Sequence, residues 1–224
     1  IYALTSHSRN KKGQRSPDRE HMLRFKIQNG EVLGLMSYDD LTQVLETDTK
    51  LHDLIRERTN AEVSFEEINI EGMAFDPVKK RLVLGFRDPE FNNMALVAFI
   101  ANPKEVFEHK AKPEFDEVAV IDIAGGGIRS LNYDPILKTY IIANEVKDET
   151  GERFSQLWTW SGKHSDEPQK ITLPNLQHIK NVEAVDSITV NGKPRLIVMG
   201  DEGNASKKLT AKYMMVDYST LSKD

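Results

Sequence analysis

The sequence predicts an all-β fold: a β-propeller of four-stranded blades, with a short helical insertion over residues 39–58. Three observations predict it: a long internal repeat, period-two alternation inside each copy, and turn signals at equivalent places between the alternating runs.

The repeat comes first because it fixes the architecture. Ile70-Glu71-Gly72-Met73-Ala74-Phe75-Asp76-Pro77 aligns with Ile128-Arg129-Ser130-Leu131-Asn132-Tyr133-Asp134-Pro135, an offset of 58 residues. Downstream, the run 81–87 falls on 139–145, and 94–99 matches 156–160. A degenerate copy begins at Val182-Glu183-Ala184-Val185. It turns at Asn191-Gly192, where both residues tolerate positive φ, and continues through 194–201 and 213–217. Fourth strands are predicted over 118–123 and 169–173. The start of the chain fits the same template without its first strand: 2–6 reads as a second strand and 22–27 as a third. About three and a half blades are therefore expected, within one domain over residues 1–224. A closed ring usually needs at least ~four, so a fragment, or a ring completed by another chain, is the expectation. A compact four-bladed ring is the alternative.

One segment departs from the alternation. From Asp39 to Arg58 the apolar residues Leu41, Val44, Leu45, Leu51, Leu54 and Ile55 recur at helical spacing. The polar Thr47-Asp48-Thr49 divides the run into two short helices, with Asp48 or Thr49 as N-cap. The pair is expected to cap the propeller rim, with a partner-binding helix as the other reading.

Composition limits the function. With 39% hydrophobic and 29% charged residues, the chain suits a globular protein with a sizeable core. A formal charge of −5 argues against non-specific nucleic-acid binding. No apolar run approaches the ~20 residues of a membrane span. The absence of cysteine excludes disulfides and thiolate chemistry, and fits a reducing compartment as well as many bacterial exported proteins. The first residues read as the interior of a strand, so the natural start is expected upstream.

The repeat also locates candidate functional residues, because equivalent positions converge on one mouth of the central channel. The first-strand position holds Glu71, Arg129 and Glu183. The end of the second strand holds Arg87, Asn144-Glu145 and Asp201, with Ser6-His7-Ser8-Arg9 in the incomplete copy. The candidate ligand-binding set is Ser6, His7, Arg9, Glu71, Arg87, Arg129, Glu145, Glu183 and Asp201. Charges beside buried strands are costly unless paired or hydrated, so their recurrence points to one polar pocket. Acids interleaved with arginines suit a divalent cation such as calcium, on Glu71, Glu183 and Asp201, together with a small anionic or phosphorylated ligand. The competing reading is a set of structural ties, Glu71 to Arg129 and Arg129 to Glu183. No histidine pair has metal-ligand spacing, and no nucleophile-elbow or phosphate-loop motif is present. The basic stretch Arg9, Lys11, Lys12, Arg15 and Arg19 reads as a solvated loop, and Gly125-Gly126-Gly127 as a tight crossover.

Four strings, Leu4-Thr5-Ser6-His7-Ser8-Arg9, Asn69-Ile70-Glu71-Gly72-Met73-Ala74, Leu84-Gly85-Phe86-Arg87 and Gly127-Ile128-Arg129, carry a family resemblance. In order and spacing the chain resembles the bacterial family known as domain of unknown function 3616, itself similar to phytase-like β-propellers. The resemblance spans nearly the whole chain. It implies a propeller and raises the expectation of anion or phosphoester chemistry. Members carry a further stretch upstream. Calcium-dependent phytases hold metal through many clustered acids, and this chain has too few to carry those ligands over. Three functions are therefore expected in order: a ligand-binding propeller, a metal-assisted phosphoesterase, and a protein-interaction platform. An unclosed ring is also expected to self-associate or to be closed by an upstream segment.

Overall fold

In the computed structural model, which describes residues 1–223, the chain forms four antiparallel sheets in sequence order. The first holds β1 (Tyr2–Leu4), β2 (Met22–Gln28) and β3 (Glu31–Tyr38). The second holds β4 (Asn69–Asp76), β5 (Arg81–Phe91), β6 (Met94–Ile100) and β7 (Phe115–Ile121). The third is built from β8 (Ile128–Asp134), β9 (Thr139–Lys147), β10 (Arg153–Trp160) and β11 (Gln169–Thr172), and the fourth from β12 (Val182–Val190), β13 (Lys193–Gly200) and β14 (Lys212–Val216). A last strand, β15 (Ser222–Lys223), joins the edge of β11, so the third sheet has five strands. Asp217 redirects the chain there by accepting a hydrogen bond from the Ser219 amide, and the Tyr218 hydroxyl donates to Asp134 at 2.5 Å. The fourth sheet consequently has three strands where four were expected.

Successive sheets pack face to face, and period two explains how. On β5, Leu82, Leu84 and Phe86 enter the core shared with the first sheet, while Val83 enters the core shared with the third. On β9, Tyr140 and Ile142 face the second sheet, while Ile141 and Ala143 face the fourth. Inner strands bury both faces, which is why 81–86 and 140–143 read as nearly unbroken apolar runs. Hydrogen bonds stitch neighbours together: Ile70 N to Ser6 O at 2.8 Å, Val185 N to Ser130 Oγ at 3.2 Å, and Val182 N to Ser155 Oγ at 3.0 Å.

The repeated Asp-Pro turns share one geometry. Asp76 Oδ1 accepts from the amides of Val78 and Lys79, each at 2.9 Å, and Asp134 Oδ1 from those of Ile136 and Leu137, each at 2.8 Å. At Asn191-Gly192 both φ values are positive, 50° and 74°, which closes the hairpin between Val190 and Lys193.

The helical run folds as α1 (Leu41–Thr47) and α2 (Thr49–Thr59). Asp48 caps α2, accepting from Leu51 N at 2.8 Å, and pairs with Lys112 at 2.7 Å. Leu41, Leu45, Leu51 and Ile55 are buried in the first core beside Met22 and Tyr38, so the apolar stripe is consumed by packing. A third helix, α3 (Pro103–His109), was not expected. Its signals are an Asn102-Pro103 start, with proline in the first turn, and Lys110 in the left-handed region at its end. Among the described residues, no helix is long and apolar enough to cross a membrane.

Candidate functional site

Glu71, Arg129 and Glu183 lie on β4, β8 and β12, the first strands of three successive sheets, which pack on one another. Arg129 sits between the two acids. Its guanidinium pairs closely with Glu183, donates to Asn181 Oδ1 at 2.7 Å, and places Nε 3.6 Å from Glu71 Oε2. Arg87, within β5, donates to Glu71 Oε1 at 2.8 Å. Burial works against the charge on Arg87, and the hydrogen bond and charge of Glu71 outweigh it, so it stays firmly protonated. Two asparagines frame the acids alike: Asn69 Nδ2 donates to Glu71 Oε1 at 3.0 Å, and Asn181 Nδ2 to Glu183 Oε1 at 3.1 Å. The strip therefore runs Arg87, Glu71, Arg129, Glu183, alternating in sign.

Two cavities flank this strip. The central one, about 340 Å³, is lined by Ser6, Glu71, Arg129 and Glu183 on its polar side and by Leu4, Ile70 and Met73 on its apolar side. Those residues come from all four sheets. The outer one, about 260 Å³, lies over the second and third sheets. Its cations are Arg87, Arg129, Lys147 and Arg153, its acids Asp88, Glu90 and Glu145, and Gly126-Gly127 form its floor. Arg153 pairs with Glu145 at 2.8 Å. Partial burial, offset in part by Arg87, raises the Asp88 carboxyl, and burial followed by the charge of Asp88 raises Glu90. A Gly127 N–H hydrogen bond works the other way on Glu90.

The glycine loop is placed by close backbone approach. A Cβ on Gly127 would stand 2.0 Å from the Arg87 carbonyl oxygen, and one on Gly126 would stand 2.4 Å from that of Glu145. Asn144 is fully buried and anchors the loop, donating to Ile123 O at 2.7 Å and Gly125 O at 2.6 Å while accepting from Trp158 Nε1 at 3.0 Å.

Four expected residues lie elsewhere or play another part. His7 is fully buried; its Nδ1 lies 3.0 Å from Thr42 Oγ1, at the start of α1. Its φ is 54°, and it lines neither cavity. Arg9 belongs to the loop, bonded to Glu66 O at 3.1 Å, Gly13 O at 3.0 Å and the Glu67 carboxylate at 3.1 Å. Arg15 and Arg19 are engaged there too, with His7 O and Ser8 Oγ among their acceptors. Asp201 is exposed, and its carbonyl accepts from Asn181 Nδ2 at 3.2 Å. Glu145 lines the outer cavity and not the central one. The expected cation site on Glu71, Glu183 and Asp201 does not form: Arg129 occupies the space between the first two, and Asp201 stands apart. Among the described residues no three acidic or histidine side chains are grouped to hold a metal ion. These residues do not fit calcium.

Burial, then the charge of Arg15, pushes the His7 pKa down to about 4. The sign follows from proton uptake. Below the ordinary value near ~6.5 the unfolded chain binds a proton that the folded chain refuses, so stability falls with pH across that interval. The expected loss between pH 7 and pH 5 is about 2 kcal/mol. His7→Asn, which suits the left-handed backbone, should flatten that part of the pH profile in urea unfolding. An unchanged slope would contradict the buried neutral ring.

No family model, no curated protein and no solved structure matches this chain.

Proposed function

We propose that this chain is part of a β-propeller that binds a small anionic ligand in the outer polar cavity, over the second and third sheets. The propeller reading is supported by four antiparallel sheets packed in sequence order, the inner two through both faces, with β4, β8 and β12 adjacent, and by one cavity touching all four. The resemblance to the domain of unknown function 3616 family and to phytase-like propellers points the same way. Apolar side chains left open on both end sheets, among them Leu35 on the first and Met199, Tyr213 and Met215 on the fourth, suit closure of the ring by sheet-on-sheet packing, including self-association.

The observation that carries the ligand reading is the balance of the outer cavity. Four cationic side chains line it with three carboxylates. Arg87 and Arg129 are also paired with Glu71 and Glu183 outside it, so room for an anion comes from burial, which holds two of the three lining carboxylates toward the neutral form. An anion there gains charge-assisted hydrogen bonds from Arg87 and Arg153. The metal-assisted phosphoesterase is the weaker reading, because the acids it needs do not converge. The interaction platform on α1 and α2 is also weaker, because their apolar stripe is buried.

Calorimetric titration with inorganic phosphate and sulfate tests the proposal. Saturable binding is expected, weakened about tenfold by Arg87→Met. Affinity should rise as pH falls through the raised range of Asp88 and Glu90, because protonating them removes repulsion. Binding that is absent, or indifferent to Arg87→Met, would sink it.

A further inference from the structure

We propose that the central cavity is a second site, one that takes a neutral ligand group presenting a hydrogen-bond donor and acceptor together: a hydroxyl or a primary carboxamide. Two atoms carry this inference. Arg129 is only 6% exposed, and its Nε–H has no hydrogen-bond partner. Glu71 Oε2 is likewise buried and accepts no hydrogen bond. At 3.6 Å apart they are too distant to satisfy one another.

A second polar atom of each side chain is engaged. Glu71 Oε1 accepts from Asn69 and Arg87, while Arg129 Nη2 serves Asn181 and Glu183. Beside the cavity, a buried donor without a hydrogen bond then faces a buried acceptor without one across a loose ion pair. A buried polar atom left unmatched costs about 1–3 kcal/mol, so a guest that matches both is favoured over one that matches either. One hydroxyl oxygen can accept from Nε–H and donate to Oε2; a carboxamide does the same with two atoms.

Charge selects against ionic guests. Glu71 and Glu183 balance Arg87 and Arg129, so the strip is formally neutral. An anion placed against Nε also meets Glu71 Oε2, and a cation placed against Oε2 also meets Nε. Leu4, Ile70 and Met73 provide apolar contact for the carbon part of the guest, and about 340 Å³ is enough for a small molecule. The site goes beyond the anion reading: it shares Arg129 with the outer cavity but depends on different atoms.

Arginine Nε–H resonances in nitrogen-15 spectra separate the two. The Arg129 peak is identified by its loss in Arg129→Lys, and those of Arg87 and Arg153 by the corresponding variants. Glycerol and propionamide are the neutral probes, with sulfate and methylammonium as charged comparators. A saturable shift of the Arg129 peak is expected with one or both neutral probes, and which one responds tells hydroxyl from amide. The charged comparators should act there at least about tenfold more weakly, with sulfate acting instead on Arg87 and Arg153. Met73→Trp, which fills the cavity without touching the ion pairs, should abolish the neutral response. An Arg129 peak indifferent to both neutral probes, or shifted equally in Met73→Trp, overturns this inference even if sulfate still binds. A silent sulfate titration beside an intact neutral response overturns only the anion reading.

Discussion

Gly127→Ala is expected to cost about 4 kcal/mol or more, enough to leave much of the protein unfolded. The cause is contact with main chain, which cannot rotate away. The added methyl would stand 2.0 Å from the Arg87 carbonyl oxygen and 2.4 Å from its Cα. Relief would require β8 and β5 to separate, opening the second core and moving the Arg87 and Arg129 side chains apart. Gly151→Ala is the control: it also removes a glycine, but nothing lies within 4 Å of its Cβ, so only the positive φ of 84° is strained. Urea unfolding of both variants checks this. A Gly127→Ala protein as stable as Gly151→Ala would mean that the loop does not approach β5 so closely.

The second large effect is at Arg129. Arg129→Met preserves the bulk of the stem but removes the charge between Glu71 and Glu183, and should lower stability by about 3 kcal/mol. Most of that loss arises at Glu71, which is 22% exposed and keeps Arg87 as its one cationic partner, beside Asn69. Glu183 is 45% exposed and rehydrates, so it adds little. Asn181 Oδ1 also loses its donor. Arg129→Lys should recover only part of the loss, because a compact ammonium cannot serve Asn181 and Glu183 and also stand beside Glu71 as the planar guanidinium does. Equal stability of Arg129→Met and wild type in chemical unfolding would reduce the strip to surface ion pairs.

The sheets and the strip were legible in the sequence for one physical reason. A repeat that buries both faces of its inner strands must keep its alternation in phase, so the 58-residue offset carries side-chain direction as well as strand position. Glu71 and Arg129 occupy the same step of that offset, and their proximity follows. What lay outside it was not legible. His7 sits in a loop whose positive φ reverses its direction, and the α1 contact that buries it is long-range. Arg9 is held by Glu66 and Glu67, residues with no equivalent in other copies. Asp88 and Glu90 reach the outer cavity because the register of β5 against β6 shifts between Gly85 and Glu90, where β5 has no counterpart in strict alternation. The course of β15 depends on the Tyr218–Asp134 hydrogen bond, a pairing across 84 residues that no local pattern announces.

The central claim is that the outer cavity binds an anion, and locating one there tests it most directly. Crystals grown with selenate in place of sulfate allow the anion to be found by its anomalous scattering. A selenate bounded by Arg87, Lys147 and Arg153, and absent in Arg87→Met crystals, is the predicted result. Selenate found only on surface lysines, with nothing in that cavity at concentrations that occupy those surface positions, would contradict the account.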